Sequence, residues 1–247
     1  MNQPCKCIIF DLSYTLIEYR KCSWPEVLDT GLQEAYRYLE CKNEILTPFT
    51  DFKNHFAIIK ERRRIEASKT LAGWKAADII GELLKQLKIK TDDEFINNLL
   101  ECIHAPIREL MYIQDDTVES LRSLKDAGFC LGIISNTINP PFLHLTDLEI
   151  LGLSSFFDFA IFSSECPHRK PHPSIFELGI KKAGFPADKI MYVGDHYGND
   201  IIGAKAVGMR AVLKFHDRQK YPDPLPEDLP VIHCLGELTG LINIPLN

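Results

Sequence analysis

Ile8-Ile9-Phe10-Asp11-Leu12-Ser13-Tyr14-Thr15 joins an apolar run to a carboxylate and a small polar turn. Residues 5–10 read as a buried strand that delivers Asp11 to the edge of a sheet. The same signal recurs further along, with apolar runs at 129–134, 159–162, 190–193 and 211–213 and an edge candidate at 231–233. Helical spacing fills the gaps. Asp116 and Glu119 stand as N-cap and N3 before Val118, Leu121 and Leu124, and Gly128 stops that helix. Pro173 opens a helix with Phe176, Ile180 and Ala183 on one face, closed by Gly184. A short helix over 201–207 ends at Gly208. Strands separated by single helices predict an α/β fold, a doubly wound parallel, Rossmann-like sheet with its ligands at the carboxyl ends of the strands. No Gly-x-Gly-x-x-Gly turn follows the first strand, which argues against a dinucleotide site.

Between about residues 17 and 114 the spacing is helical throughout, with no convincing strand. Ser23 and Glu26 are placed as a capping box before Leu28, Leu32, Ala35 and Leu39. Phe52, Phe56 and Ile59 mark a second helix, and Ile80, Leu83, Leu84 and Leu87 a third. Thr91 and Glu94 cap a fourth that carries Phe95, Leu99 and Ile103. The predicted organisation is a Rossmann-like core of residues 1–17 plus 115–247 and an inserted all-helical cap of residues 18–114, with hinges near 18–22 and 111–115. Residues 221–230, with four prolines, read as a loop or edge wrap.

The chain has 247 residues, 45% hydrophobic and 25% charged, with 28 basic against 34 acidic side chains for a net charge of −6. That balance offers no general surface for nucleic acid or anionic lipid, so neither is expected as a partner. The apolar run before Asp11 is too short for a signal peptide or membrane span. The eight cysteines include no Cys-x-x-Cys pair and no zinc spacing, and they read as reduced thiols of a cytoplasmic protein. Cys5 and Cys7 face the same side of the first strand. Arg62, Arg63 and Arg64 point about 100° apart on their helix, and a solvated face paired with Glu61 and Glu66 is the expected arrangement.

Four short segments carry chemistry. Asp11 at a strand end can attack phosphorus. Ser135-Asn136-Thr137 follows another strand, where a hydroxyl and backbone N–H groups suit a phosphoryl oxygen. Lys170, before Pro171 and Pro173, would place an ammonium over nucleophile and phosphate. Asp195 and Asp200 straddle a turn after the strand at 190–193, and such oxygen ligands suit Mg²⁺. Each segment alone is ordinary. Their order, each just after a predicted core strand or opening a helix, is not.

Asp11-Leu12-Ser13-Tyr14-Thr15, Ser135, Lys170-Pro171 and Gly194-Asp195 through Asp200 together resemble the four motifs of the haloacid dehalogenase superfamily, over nearly the whole chain. The helical insert resembles the small C1-type cap of many members. The resemblance implies a hydrolase, foremost a Mg²⁺-dependent phosphatase acting on a small phosphorylated molecule. It implies Asp11 as nucleophile, Ser135 and the backbone near Asn136 as phosphate binders, and Lys170 as electrostatic support. It implies metal ligation by Asp11, Asp195, Asp200 and the backbone carbonyl of Ser13. Family phosphatases carry a second Asp where this chain has Ser13, and that Asp serves as proton carrier. Its loss typically costs about 10²–10⁴ in rate. His196 and Tyr14 are nearby candidates to replace it. Three alternatives stay open: a catalytically impaired phosphoryl-binding or regulatory protein, a phosphonatase, which recruits a cap lysine, and a dehalogenase, which needs no metal. Arg20 and Trp24, beside the first hinge, are candidate substrate contacts.

Overall fold

The computed structural model describes residues 5–42, 44 and 47–242. Its first strand, β1 (Cys7–Phe10), is buried along its whole length. Cys7 and Ile9 feed the apolar layer on one face of the sheet and Ile8 and Phe10 the layer on the other. A strand covered on both sides needs no polar alternation, which is why β1 reads as an unbroken apolar run.

Among the described residues the main sheet has six strands. β4 (Cys130–Ser135) and β6 (Ile190–Gly194) flank β1, and β5 (Phe159–Phe162) lies outside β4. β7 (Arg210–Lys214) and β8 (Val231–Ile232) continue beyond β6, giving the order β5-β4-β1-β6-β7-β8, with every pairing parallel. The chain therefore fills one side of β1 and then the other. Phe10 is level with Ile133 of β4 and Val193 of β6. Adjacent parallel strands lie ~4.8 Å apart, so the residues that follow all three are neighbours at one sheet edge. Helices α5 (Thr117–Asp126), α6 (Pro141–Ile150), α7 (Pro173–Ala183), α8 (Gly203–Ala206) and α9 (Gly236–Leu241) cover the faces. Residues 201–207 do not form one plain helix: a π-helical segment, Tyr197–Ile202, precedes α8. The α6 stretch escaped the periodicity reading because two prolines open it and it is apolar on most sides.

Four helices lie between β1 and β4: α1 (Trp24–Cys41), α2 (Phe49–Thr70), α3 (Ala76–Gln86) and α4 (Asp93–Arg108). They bury a separate apolar cluster that includes Leu32, Leu39, Phe52, Ile80, Leu83 and Leu99, and the core side chain Leu143 joins it. Gly31 lets α1 close on α4, since a Cβ there would sit 2.4 Å from the Ile103 carbonyl oxygen. The expectation of no strand in this stretch is corrected at its ends. β2 (Glu18–Tyr19) pairs antiparallel with β3 (Met111–Tyr112), so the chain entering the helical block is tied to the chain leaving it. Two-residue strands are too short to show a period. Two caps also differ. Ser23 is the N-cap of α1 but makes no side-chain cap bond. Asp92, not Thr91, caps α4, accepting from the Phe95 N–H. Arg64 pairs with Glu61 as expected, while Arg62 and Arg63 turn to Glu82 of α3 rather than to Glu66. All eight cysteines are free thiols. Among the described residues, no helix is long and apolar enough to cross a membrane.

Candidate active site

The strand ends bring the four segments to one small cavity of about 150 Å³, whose walls include Asp11, Ser135, Lys170, Asp195 and Asp200. Asp11 follows β1, Ser135 ends β4 and Asp195 follows β6, the three adjacent strands. Lys170 enters from the loop before α7 and Asp200 from the π-helical segment.

Lys170 is the hub. Its Nζ lies 2.6 Å from Asp11 Oδ1, 2.7 Å from Asp200 Oδ1, 2.8 Å from Tyr192 Oη and 2.9 Å from the Ile134 carbonyl oxygen. An ammonium has three protons, so four oxygens share three donors. Tyr192 in turn donates toward the Ile134 carbonyl at 3.0 Å. Lys170 is 2% exposed, a position a lysine holds only when paired. Burial works to lower its pKa, but the charges of Asp11 and Asp200 outweigh it and the net shift is upward.

The carboxylates show the converse. Asp11, Asp195 and Asp200 are all buried, and an oxygen of each lies within 4.8 Å of the others. Three carboxylates against one ammonium leave −3 + 1 = −2 with all groups ionised. Burial, opposed by Lys170 and reinforced by Asp200 and Asp195, pushes the Asp11 carboxyl up to about 7. Burial likewise raises Asp195 to about 6, against the Gln219 hydrogen bond that lowers it. Hard oxygen donors with surplus negative charge out of water are a set that fits a divalent cation.

The remaining predicted residues fall in different places. Asn136 reaches the cavity wall, but its side-chain amide is committed to the Lys170 backbone: Nδ2 donates to the Lys170 carbonyl at 2.9 Å and Oδ1 accepts the Lys170 N–H at 2.8 Å. Ser13 lines the cavity, with its Oγ 3.0 Å from Tyr19 Oη. Tyr14 lines it too, with φ +63°, an uncommon conformation for a residue with a side chain. His196 Nδ1 accepts from the Asn199 N–H at 3.1 Å, which puts the ring proton of the neutral form on Nε2. Arg20 is exposed, and neither Arg20 nor Trp24 lines the cavity. Trp24 packs edge-on against Tyr19.

Three members escaped the sequence. Tyr192 looked like one more apolar residue of β6. Gln219 donates from Nε2 to Asp195 Oδ2 at 2.6 Å, and Tyr221 Oη donates to the Asp195 carbonyl at 3.1 Å. Both lie in the segment after β7, which carries no local signal of chemistry.

A family model described as haloacid dehalogenase-like hydrolase matches residues 5–208. A ribulose-1,5-bisphosphate 5-phosphatase of Halopiger xanaduensis is 31% identical over 247 residues, covering 96% of this chain and 98% of that protein. A glyceraldehyde 3-phosphate phosphatase of Methanocaldococcus jannaschii is 31% identical over 166 residues, 67% of this chain and 71% of that protein. Among solved structures, a 2-haloacid dehalogenase from Pseudomonas syringae superposes with a TM-score of 0.71 at 23% identity, covering 97% of this chain and 98% of that one. A phosphatase from Thermococcus onnurineus superposes at 0.62, also with 23% identity, over 98% and 100%. At that identity the two structures establish the fold alone.

Proposed function

The chain belongs to the haloacid dehalogenase-like hydrolase family, and on that premise we propose that it is a Mg²⁺-dependent phosphatase of small phosphomonoesters working through an aspartyl-phosphate at Asp11. The observation that carries this reading is the buried group of three carboxylates around Lys170. Dehalogenase chemistry needs one nucleophilic carboxylate and no metal, whereas this cavity gathers two further carboxylates that a metal would use. The relatives named as phosphatases support the same choice.

In this reading Asp11, Asp195, Asp200 and the Ser13 carbonyl would hold Mg²⁺. When bound, the ion supplies charge neutralisation to the phosphoryl oxygens. Asp11 attacks phosphorus, an Oδ–P bond forms and the P–O bond to the leaving group breaks. Ser135 and the backbone at Asn136 receive phosphoryl oxygens, and Lys170 offsets the gathering negative charge. The Asn136 amide acts through Lys170 by fixing its backbone. Water then attacks the aspartyl-phosphate and restores Asp11.

Proton transfer is the weak link. The Ser13 hydroxyl is far less acidic than a carboxyl group. His196, protonated on Nε2, is a donor and not a base in that form. Burial raises the Tyr14 hydroxyl pKa despite the nearby Arg218 charge. Turnover is therefore slow, and fastest for leaving groups that need no proton. The same Ser13 favours a second reading, a phosphoryl-binding protein with impaired turnover. The chain divides into a core of 1–17 plus 115–247 and a C1-type cap of 18–114; residues 1–4, 43, 45, 46 and 243–247 lie outside the described residues. The test is hydrolysis of p-nitrophenyl phosphate. Wild type turns over with Mg²⁺, and both EDTA and Asp11→Asn abolish the reaction. A silent wild type, or activity surviving Asp11→Asn, overturns the proposal.

A further inference from the structure

The catalytic cavity is smaller than one that encloses a drug-sized ligand. Its volume is about 150 Å³, against roughly 300–1,000 Å³ for pockets that enclose drug-sized ligands. A phosphoryl group seated by Asp11 and Lys170 leaves space for the ester oxygen and a short stem. The rest of the leaving group must pass the cavity wall, and Tyr14 is part of that wall.

Tyr14 is met there by an arginine from the far end of the chain. Arg218 Nη1 donates to Tyr14 Oη at 2.7 Å. Its guanidinium carbon lies 5.0 Å from the centre of the Tyr14 ring and 5.8 Å from that of Trp24. The ring of cavity-lining Tyr14 and that of Trp24, outside the cavity, thus hold a planar cation beside it. The segment that carries it is anchored on the cavity itself, because the next residue, Gln219, donates to Asp195. Trp24 begins α1 of the helical insert, so Arg218 stands where core and insert meet.

The arginine differs from the buried lysines nearby. Lys170 is paired with Asp11 and Asp200, and Lys214 with Glu18. Among the described residues, Arg218 has no carboxylate partner; it contacts Tyr14, Trp24 and, through its backbone N–H, His216 Nδ1. A guanidinium carries five N–H donors in a fork that matches an oxyanion, and Tyr14 accepts from one nitrogen. With Mg²⁺ and Lys170 balancing the three carboxylates, the charge of the seated phosphoryl group remains, and a second oxyanion on the leaving group would be repelled by it unless a cation received that oxyanion beside the cavity.

We propose that Arg218 is a specificity residue that selects phosphomonoesters bearing a second oxyanion, a carboxylate or a second phosphate, a short carbon chain away from the scissile phosphate. This rests on the phosphatase reading of the same cavity.

The test uses matched pairs with the Mg²⁺-loaded protein. 3-Phosphoglycerate is compared with glycerol 3-phosphate for the carboxylate, and propane-1,3-diol bisphosphate with propyl phosphate for the second phosphate. Wild type is expected to favour the charged member of at least one pair in kcat/KM by roughly ten- to hundredfold, the range of one charge-assisted contact. Arg218→Gln brings that ratio near one, and Arg218→Lys keeps part of it. Arg218 is exposed, so both variants should melt with wild type. If no ester is hydrolysed, the phosphatase reading fails, and calorimetric Kd values for the same pairs judge Arg218 separately. Equal values within both pairs in wild type, or a preference that survives Arg218→Gln, overturn the inference.

Discussion

Lys170 Nζ stands 2.6 Å from Asp11 Oδ1, and both side chains are out of water. The two residues are 159 positions apart, so the pair exists only in the folded chain. Removing one partner of a buried pair leaves an uncompensated charge, at a cost of about 3–5 kcal/mol. Lys170→Met should therefore destabilise the metal-free protein by that order in urea unfolding, and Mg²⁺ should return part of the loss. An unchanged midpoint would contradict the placement of Lys170 as counter-charge.

Gly194 ends β6 against the Asp200 side chain. A Cβ at this position would sit 2.5 Å from Asp200 Cγ, closer than real Cβ contacts come. Mg²⁺ at one hundred times its Kd should stabilise wild type by about 2.7 kcal/mol. Gly194→Ala displaces the Asp200 carboxylate, and the Mg²⁺-induced rise in melting temperature should shrink or vanish. A full rise in the variant would exclude Asp200 from the metal site.

His144 offers a pH test away from the cavity. Burial, then the charge of His104, pushes it from 6.5 down to about 4, against the pull of Asp147. Between those values the unfolded chain binds a proton that the folded chain refuses. Stability is then fully present above about pH 6.5 and is lost as pH falls toward about 4, by about 3 kcal/mol in all. His144→Gln should flatten the slope of unfolding free energy against pH in this window. An unaltered slope would sink the assignment.

Much of this was legible in the sequence, and the reason is local. Asp11, Ser135, Lys170 and the Asp195–Asp200 turn each follow an apolar strand or open a helix, so short peptides announce them. What was not legible depends on chain segments meeting. Tyr192 is indistinguishable from its apolar neighbours until Lys170 lies beside it. Gln219 and Arg218 sit in an irregular stretch and gain meaning only from Asp195, Tyr14 and Trp24. Asn136 was legible as a site residue, but its grip on the Lys170 backbone, 34 residues away, was not.

Ser13 sets the rate in this account. Ser13→Asp supplies a carboxyl group where the leaving oxygen departs, and kcat on an alkyl phosphate should rise by about 10²–10⁴. The gain should be far smaller for the first step with p-nitrophenyl phosphate, whose leaving group departs as a stable phenolate. Equal gains in the rate of aspartyl-phosphate formation from both esters, read in single-turnover kinetics, would show that leaving-group protonation is not what Ser13 limits.

In the proposed reaction Asp11 takes the phosphoryl group. Rapid acid quench of the Mg²⁺-loaded protein with p-nitrophenyl phosphate, followed by peptide mass spectrometry, tests it directly. With no good base to activate water, the intermediate should accumulate, and the peptide containing Asp11 should carry the mass of one phosphoryl group. A turning-over protein with that peptide unmodified, or with the phosphoryl group on another residue, would contradict the account.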